Sequence, residues 1–176
     1  MKTIKDRLFV QMISKDEISQ RVKEIARQIE LETAVENPLF IGILNGSFLF
    51  FADLIREINM PCEVSFMKVA SYQKMESAGE IKKLIGMNES IANRDVIIVE
   101  DIVDTGFTMK SIIEELNAHH PKSLKIATLL HKPSAQKTPI QLDYVGFEIE
   151  NKFVIGYGLD YDGQGRNLDA IYVVKD

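Results

Sequence analysis

The segment VIIVEDIVDTGFTM, Val96 to Met109, decides the fold of this 176-residue chain. Its first four residues, Val96 to Val99, are apolar and β-branched, which predicts a strand buried on both faces. Its last residue, Met109, begins an apolar repeat with helical spacing that continues with Ile112, Ile113 and Leu116. Between them lies a short polar turn. The segment therefore predicts a strand, a turn and a helix in succession.

The same order occurs earlier, where the apolar stretch LFIGIL (Leu39 to Leu44) runs into Asn45-Gly46-Ser47 and a second helical repeat. A first helix is predicted from Lys15 to Glu32, because Ser14 and Glu17 have the spacing of a capping box. Repeated strand, turn and helix predict an α/β fold with a mostly parallel central sheet flanked by helices. Ligands of such sheets bind beyond the carboxyl ends of the strands, where both turns lie.

The remaining segments fit one domain spanning residues 1–176, because the length is close to the prior of about 150 residues per domain. Further strands are predicted at Val64–Val69, Leu124–Leu130, Tyr144–Ile149, Phe153–Tyr157 and Ile171–Val174. The polar stretch Ser71–Lys83 is predicted to be a mobile loop. We expect the part from about residue 150 to 176 to form a small hood. The N-terminus is a further candidate for a part of this hood.

Composition and charge limit the function classes. Hydrophobic residues make up 45% of the chain and charged residues 27%, which fits a packed globular protein. Lys and Arg minus Asp and Glu is 21 minus 26, or −5, which disfavours a broad nucleic-acid surface. The single cysteine, Cys62, excludes an intrachain disulfide, and no apolar run approaches the ~18 residues of a membrane span. We therefore expect a cytoplasmic protein.

Three carboxylates follow the VIIV strand within five residues: Glu100, Asp101 and Asp104. Like charges about 4 Å apart repel by roughly 4 kcal/mol at an effective dielectric near 20, so such a cluster predicts a compensating ligand. A divalent cation or a ligand with several hydroxyls would compensate, and hard oxygen donors favour Mg²⁺.

A small, hydroxyl-rich turn comes next, formed by Thr105, Gly106 and Thr108. Gly106 permits a tight turn in which backbone N–H groups and both hydroxyls converge on one anion at a helix start. The turn is neither GxxxxGK[ST] nor GxGxxG, so carboxylates and turn together favour a sugar phosphate. The alternative is an ordinary helix start, with Asp104 or Thr105 as the N-cap.

These residues carry a resemblance. The sequence EDIVDTGFT, Glu100 to Thr108, resembles the phosphoribosyl-diphosphate motif of the type I phosphoribosyltransferases. The rest of the chain is similar to the hypoxanthine-guanine members of that family. The similar blocks keep their order: LFIGILNGSFLFFADL, Ser71-Tyr72, the acidic motif, LLHKPS, and DYVGFEIENKFVIGYGLDYDGQGRNL. The resemblance implies the type I phosphoribosyltransferase fold.

The resemblance also implies where the sugar donor binds. Glu100 and Asp101 would face the ribose hydroxyls and their Mg²⁺. The run from Asp104 through Thr105, Gly106 and Phe107 to Thr108 would wrap the 5′-phosphate, with Asp104 also the general base. Diphosphate contacts would come from Asn45, Gly46, Ser47 and Arg166. Asn45 departs from the pattern, since many family members have lysine there.

For the base, the resemblance implies that Lys132 reads the 6-oxo group of a purine, because a lysine donates and cannot accept. Phe153 would stack on the ring, and the backbone of Val154 would meet its edge. Asp160 would hold a second Mg²⁺ and also lie beside the purine. Ser71 and Tyr72 would start a lid loop over the reacting atoms.

The implied function is purine salvage by an Mg²⁺-dependent enzyme that transfers phosphoribosyl from phosphoribosyl diphosphate to hypoxanthine, and to guanine as well. Its partners would be these substrates and further copies of the chain in a homodimer or homotetramer, with neither nucleic acid nor membrane. Two alternatives stay open. One is a regulator that keeps the fold and binds RNA, which the net charge disfavours. The other is a transferase that prefers xanthine.

Overall fold

The computed structural model describes residues 1–33, 37–71, 81–85 and 90–175. Three α-helices are present in this part: α1 (Lys15–Glu32), α2 (Phe48–Glu57) and α3 (Phe107–Asn117). The strands are β1 (Lys2–Ile4), β2 (Arg7–Ile13), β3 (Leu39–Leu44), β4 (Glu63–Ser71), β5 (Ile81–Ile85), β6 (Asp95–Val103), β7 (Ser123–His131), β8 (Tyr144–Glu148), β9 (Val154–Ile155) and β10 (Ile171–Val174). A short 3-10 turn covers Pro133–Ala135.

The larger sheet has six strands in the order β5-β4-β3-β6-β7-β8. Five run parallel, and β5 pairs antiparallel with β4 at one edge. The central strands are mostly apolar and lie between layers: every residue of β3 from Leu39 to Ile43 and six in a row of β6 from Val96 to Asp101 are buried. The predicted α/β fold with a mostly parallel sheet is confirmed.

Helices cover both faces of this sheet. One core joins α1 and α2 to one face, with Ile25, Phe51 and Leu54 packed against Phe40 and Val99. A second core lies on the other face. There the buried residues of α3 pack in one cluster with Ile41, Ile98 and Ile126 of the strands. α1 has the predicted bounds, and its capping box is present, with Ser14 and Glu17 bonded reciprocally.

A smaller antiparallel sheet has the order β1-β2-β10-β9, so it combines the two ends of the chain. Its core contains Phe9, Ile155, Ala170 and Tyr172. The N-terminal strands were not predicted, because β2 mixes apolar and polar residues and its burial shows no strict alternation. In the described part of the chain, no helix is both long enough and apolar enough to cross a membrane.

Two predicted segments differ from the structure. Ile81–Lys83 were assigned to a mobile loop, which is wrong, because they belong to β5 and pair with the edge of β4. Backbone pairing with a neighbouring strand leaves no signature in a polar sequence. The strand predicted at Phe153–Tyr157 is limited to Val154–Ile155, because Gly156 and Tyr157 have positive φ angles of 99° and 47°, which end an extended strand.

Candidate active site

The sheet register brings Asp104 and Lys132 together. β6 and β7 are parallel neighbours whose last paired residues are Val103 and His131, so the next residue of each strand emerges at the same edge. The Lys132 amide also donates to the Val103 carbonyl (3.0 Å). Lys132 Nζ donates to Asp104 Oδ2 at 2.9 Å. Lys132 is only 6% exposed, so its charge is balanced inside the fold by the carboxylate of Asp104.

Two further carboxylates are buried near the end of β6. Glu100 and Asp101 are 8% and 9% exposed. Burial raises the pKa of Glu100 well above its usual value, and the charge of Asp101 raises it further. Burial also raises the pKa of Asp101, opposed by hydrogen bonds, including one from the Ile102 amide (2.9 Å), and by the charge of Arg166. Two buried acids of this kind favour a cation or a hydroxyl-rich ligand as partner.

The turn after β3 lies directly against these acids. A Cβ atom at Gly46 would collide with Asp101 Oδ2, and a Cβ atom at Gly158 would collide with the Gly46 carbonyl oxygen. Only glycine at both positions permits this close backbone approach. Ser47 is fully buried, and its hydroxyl donates to the Ile43 carbonyl (2.6 Å), so its side chain is turned away from the turn's open face.

The turn between β6 and α3 has the geometry of an anion cup. Gly106 is the residue before α3, with φ of 85°, and α3 has no side-chain N-cap bond. The alternative in which Asp104 or Thr105 caps the helix is therefore wrong. The Thr105 carbonyl accepts the amides of Lys137 (3.0 Å) and Thr138 (3.2 Å), which fixes the turn to the loop that follows Lys132. The first N–H groups of α3 have no intrahelical partner and point out of the helix start.

A cavity of about 250 Å³ lies where these turns meet. Its lining includes eight predicted site residues: Asn45 and Gly46, Glu100 and Asp101, the run from Asp104 to Gly106, and Thr108. Lys132 is outside the lining and contacts it through its bond to Asp104. The side chain of Phe107 is 55% exposed and lies outside the lining.

Arg166 and Asp160 form a second polar cluster beside Gly158. Arg166 Nη2 and Asp160 Oδ1 are 2.7 Å apart, and Arg166 Nη1 donates to the Gly158 carbonyl (2.7 Å). The other carboxylate oxygen of Asp160 accepts the Gly163 amide (2.7 Å). Both oxygens of Asp160 therefore have partners within its own loop.

Two of the predicted base-binding residues, Phe153 and Val154, lie at β9 of the smaller sheet. Val154 is buried in β9, whereas Phe153 is 41% exposed. The Phe153 ring lies 5.8 Å from that of Tyr161 in an edge-on arrangement and 6.4 Å from that of Phe9. Phe153 therefore packs against two aromatic rings and keeps part of its surface exposed. Ser71 is the last residue of β4, and Tyr72 lies outside the described residues.

The predicted metal ligands lie in two places. Within the described ranges, no three His, Cys, Asp or Glu residues form a metal cluster, so Glu100, Asp101 and Asp160 do not make one joint site. Glu100 and Asp101 fit a divalent cation by themselves, because they are adjacent, buried, hard oxygen donors at the wall of an open cavity. They would leave most coordination positions to substrate oxygens and water.

Sequence reasoning missed the residues that hold the site from behind. Lys137 and Thr138 fix the Thr105 carbonyl, and Gly158 packs against Gly46. None of them belongs to a polar cluster in the sequence. The positive φ of Gly158, 104°, gives no sequence signal beyond the glycine itself.

Comparison with known proteins places these features in one family. The sequence profile of the phosphoribosyl transferase domain matches residues 11–162. This chain belongs to the phosphoribosyltransferase family. The phosphoribosyltransferase relatives include the hypoxanthine-guanine phosphoribosyltransferase of Bacillus subtilis, which is 44% identical over 93% of this chain and 92% of the relative. The enzyme of the same description from Aquifex aeolicus is 41% identical over 100% of both chains.

Among solved phosphoribosyltransferase structures, the hypoxanthine phosphoribosyltransferase of Trypanosoma cruzi in complex with its product IMP has a TM-score of 0.88 to this chain. It is 36% identical, and the match covers 99% of this chain and 98% of the other. The predicted type I phosphoribosyltransferase fold is thereby confirmed along nearly the whole chain.

Proposed function

We propose that this phosphoribosyltransferase performs purine salvage by transferring 5-phosphoribosyl from phosphoribosyl diphosphate to N9 of hypoxanthine, and of guanine, giving IMP or GMP and diphosphate. The observation that carries the proposal is the Lys132–Asp104 pair beside the anion cup between β6 and α3. It offers a donor and an acceptor side by side, next to a turn suited to a phosphate. The names of its relatives agree with this substrate class.

The pair matches one edge of a 6-oxopurine. The 6-oxo group and N7 are adjacent on the purine ring, so a base in this place meets Lys132 Nζ with its oxygen and Asp104 with its N7 side. Lysine has three N–H donors and can keep Asp104 while donating to the oxygen. Adenine presents a 6-amino donor to this lysine, which predicts that adenine is rejected.

The reaction exchanges one bond at the anomeric carbon. The bond from C1′ to the diphosphate oxygen breaks, positive charge develops on the ribose, and N9 of the purine forms the new bond. The purine loses a proton, which the Asp104 carboxylate accepts or holds at N7, a contribution of typically 10²–10⁴-fold. Gly106 and the first N–H groups of α3 hold the 5′-phosphate, and this fixes the sugar relative to Asp104.

In this proposal, the diphosphate lies between the Asn45-Gly46 turn and Arg166. Glu100 and Asp101 would hold Mg²⁺ at the ribose hydroxyls, and Asp160 a second ion after exchange of its bond to Arg166. Bound Mg²⁺ supplies positive charge that offsets the buried acids and the charge of the leaving group. Ser71 and Tyr72 are proposed to begin a lid that excludes water from the ribose cation.

We further propose a homodimer or homotetramer in the cytosol. The support for self-association is an apolar surface beside α2, where Phe48, Val64 and Phe66 are 39%, 48% and 39% exposed. The support for the cytosol is the single cysteine of the sequence. Sedimentation of the purified chain would give the assembly, and a monomer at micromolar concentration would contradict it.

The deciding experiment is ultraviolet-monitored turnover of hypoxanthine, guanine, xanthine and adenine with phosphoribosyl diphosphate. With Mg²⁺ we expect turnover of hypoxanthine and guanine and none of adenine. Removal of Mg²⁺ with a chelator should abolish turnover, and adding it back should restore it. A chain that turns over xanthine alone, or no 6-oxopurine, contradicts the proposal. Filter binding to RNA at physiological salt would then test the alternative that the chain is an RNA-binding regulator.

A further inference from the structure

Tyr157 lies at the centre of a strained backbone knuckle, Gly156-Tyr157-Gly158. All three residues have positive φ angles: 99°, 47° and 104°. Glycine adopts this region freely, but a tyrosine is disfavoured there because its Cβ crowds the backbone. A residue kept in such a conformation must be held by its surroundings.

Asp53 holds it from across the fold. The Tyr157 hydroxyl donates to Asp53 Oδ2 at 2.6 Å, although the two residues are 104 positions apart in the sequence. Tyr157 is 6% exposed. Burial, and then the Asp53 carboxylate, raise the pKa of the phenol, so it stays a hydrogen-bond donor at physiological pH. The other carboxylate oxygen of Asp53 lies 3.8 Å from Arg56 Nη1, at the helix surface.

The residues around this bond touch both loops proposed to hold diphosphate. Asp53 is part of α2, which begins directly after the Asn45-Gly46-Ser47 turn. On the other side, Gly158 packs against the Gly46 carbonyl. The Gly158 carbonyl also accepts from Arg166 Nη1 (2.7 Å), and the Gly158 amide donates to the Arg166 carbonyl (2.9 Å).

We infer that Tyr157 and Asp53 are positioning residues for diphosphate binding, an inference that rests on the proposed function. Their hydrogen bond ties the knuckle, which contains Gly158 and is bonded to Arg166, to helix α2, which directly follows the turn that contains Gly46. It sets the separation of the two loops without touching the substrate. Its loss frees Gly158 to move away from Gly46, and the Arg166 guanidinium moves with it.

The test is the Michaelis constant of each substrate measured separately. For Tyr157→Phe, we expect the KM for phosphoribosyl diphosphate to rise about tenfold, equivalent to about 1.4 kcal/mol, and the KM for hypoxanthine to change less than twofold. Asp53→Ala should give the same split. Asp53→Asn keeps an oxygen acceptor and should restore the donor KM to near the wild-type value.

Tyr144→Phe is the matched control. Tyr144 is also fully buried, and its hydroxyl accepts from Lys125 Nζ at 2.9 Å, but it lies on β8 at the opposite end of the strands from the cavity. This variant removes a buried tyrosine hydroxyl and its part-buried hydrogen bonding, as Tyr157→Phe does. We expect it to lower the unfolding temperature and leave both Michaelis constants unchanged.

A double variant, Tyr157→Phe with Asp53→Ala, should be no worse than either single variant, because both remove one bond. The inference is overturned if the wild-type chain turns over hypoxanthine and the donor KM is unchanged in Tyr157→Phe, or if both Michaelis constants rise equally. Should Tyr157→Phe not fold, Asp53→Ala at the half-exposed helix surface carries the same test. A wild-type chain without turnover contradicts the proposed function instead.

Discussion

Lys132 and Asp104 form a 2.9 Å ion pair in which the lysine is almost fully buried and the carboxylate is 43% exposed. The asymmetry matters, because the lysine depends on this partner and the carboxylate can also be solvated. The pair arises directly from the register of β6 and β7, each of which ends one residue before it.

Replacing Lys132 with alanine should raise the KM for hypoxanthine about 10- to 100-fold, because a charged hydrogen bond to the 6-oxo group is worth about 1.5–3 kcal/mol. The KM for phosphoribosyl diphosphate should change little. Steady-state kinetics with each substrate varied in turn measures both. Lys125→Ala is the matched control, since Lys125 is on β7, the strand that Lys132 directly follows, and bonds to Tyr144. An equal rise of both constants would mean that Lys132 does not read the base.

Asp104→Asn should lower kcat by about 10²–10⁴-fold, because an amide cannot accept the purine proton. The amide oxygen still accepts the bond from Lys132 but no longer balances its buried charge, so the variant should fold with a lowered unfolding temperature, and kcat is measured below that temperature. Measurement of kcat at saturating concentrations of both substrates tests this. A kcat equal to that of the wild type at all pH values would remove Asp104 from the chemistry.

Glu100→Gln should change how stability depends on pH. The folded pKa of Glu100 lies above the ordinary value of 4.5, so above that pH the folded chain binds more protons than the unfolded chain. The free energy of unfolding therefore falls as pH rises from 4.5 through the folded pKa, by about 1.4 kcal/mol for each unit of elevation.

The glutamine has no charge to bury, so the variant should be more stable than the wild type at pH 7.5, and the two should converge near pH 4.5. Urea unfolding without Mg²⁺ at several pH values measures this. Glu114→Gln, at an exposed position of α3, is the control and should leave the pH dependence as it is. A Glu100→Gln protein less stable than wild type at pH 7.5 would contradict the burial argument.

Gly46→Ala should weaken binding of phosphoribosyl diphosphate, because the added Cβ collides with Asp101 and must displace a site carboxylate. We expect the donor KM to rise at least tenfold. Gly146→Ala separates this effect from a general loss of stability, since its Cβ collides with the backbone of Leu129 on the paired strand β7 and with none of the proposed donor-binding residues. Gly146→Ala should lower the unfolding temperature only. Unchanged donor affinity in Gly46→Ala would show that this turn does not hold the diphosphate.

The sequence was most informative where periodicity and local chemistry agree. The capping-box spacing of Ser14 and Glu17 predicted the start of α1. The apolar runs VIIV and LFIGIL predicted the central strands, because strands buried on both faces have few polar residues. The acidic run after β6 likewise predicted a cluster that the structure places at one cavity.

Contacts between residues far apart in the sequence could not be predicted from the sequence. The bond from Tyr157 to Asp53 joins residues 104 positions apart and has no spacing rule. β2 pairs with β10 from the other end of the chain and with its neighbour β1, and the polar residues of β1 and β2 hide the strand pattern. The Lys132–Asp104 contact was accessible in principle, since adjacent parallel strands of known register bring their following residues together.

The Thr105 carbonyl, which accepts two amides from the loop after Lys132, joins the turn proposed to hold the 5′-phosphate to the segment proposed to read the base. If the proposed function holds, a movement of that loop changes the binding of both substrates together. Thermodynamic reciprocity then requires that whatever the occupied cup does to purine affinity, the bound purine does equally to donor affinity. Evolution toward a different heterocycle on this scaffold would therefore have to readjust the pentose contacts as well.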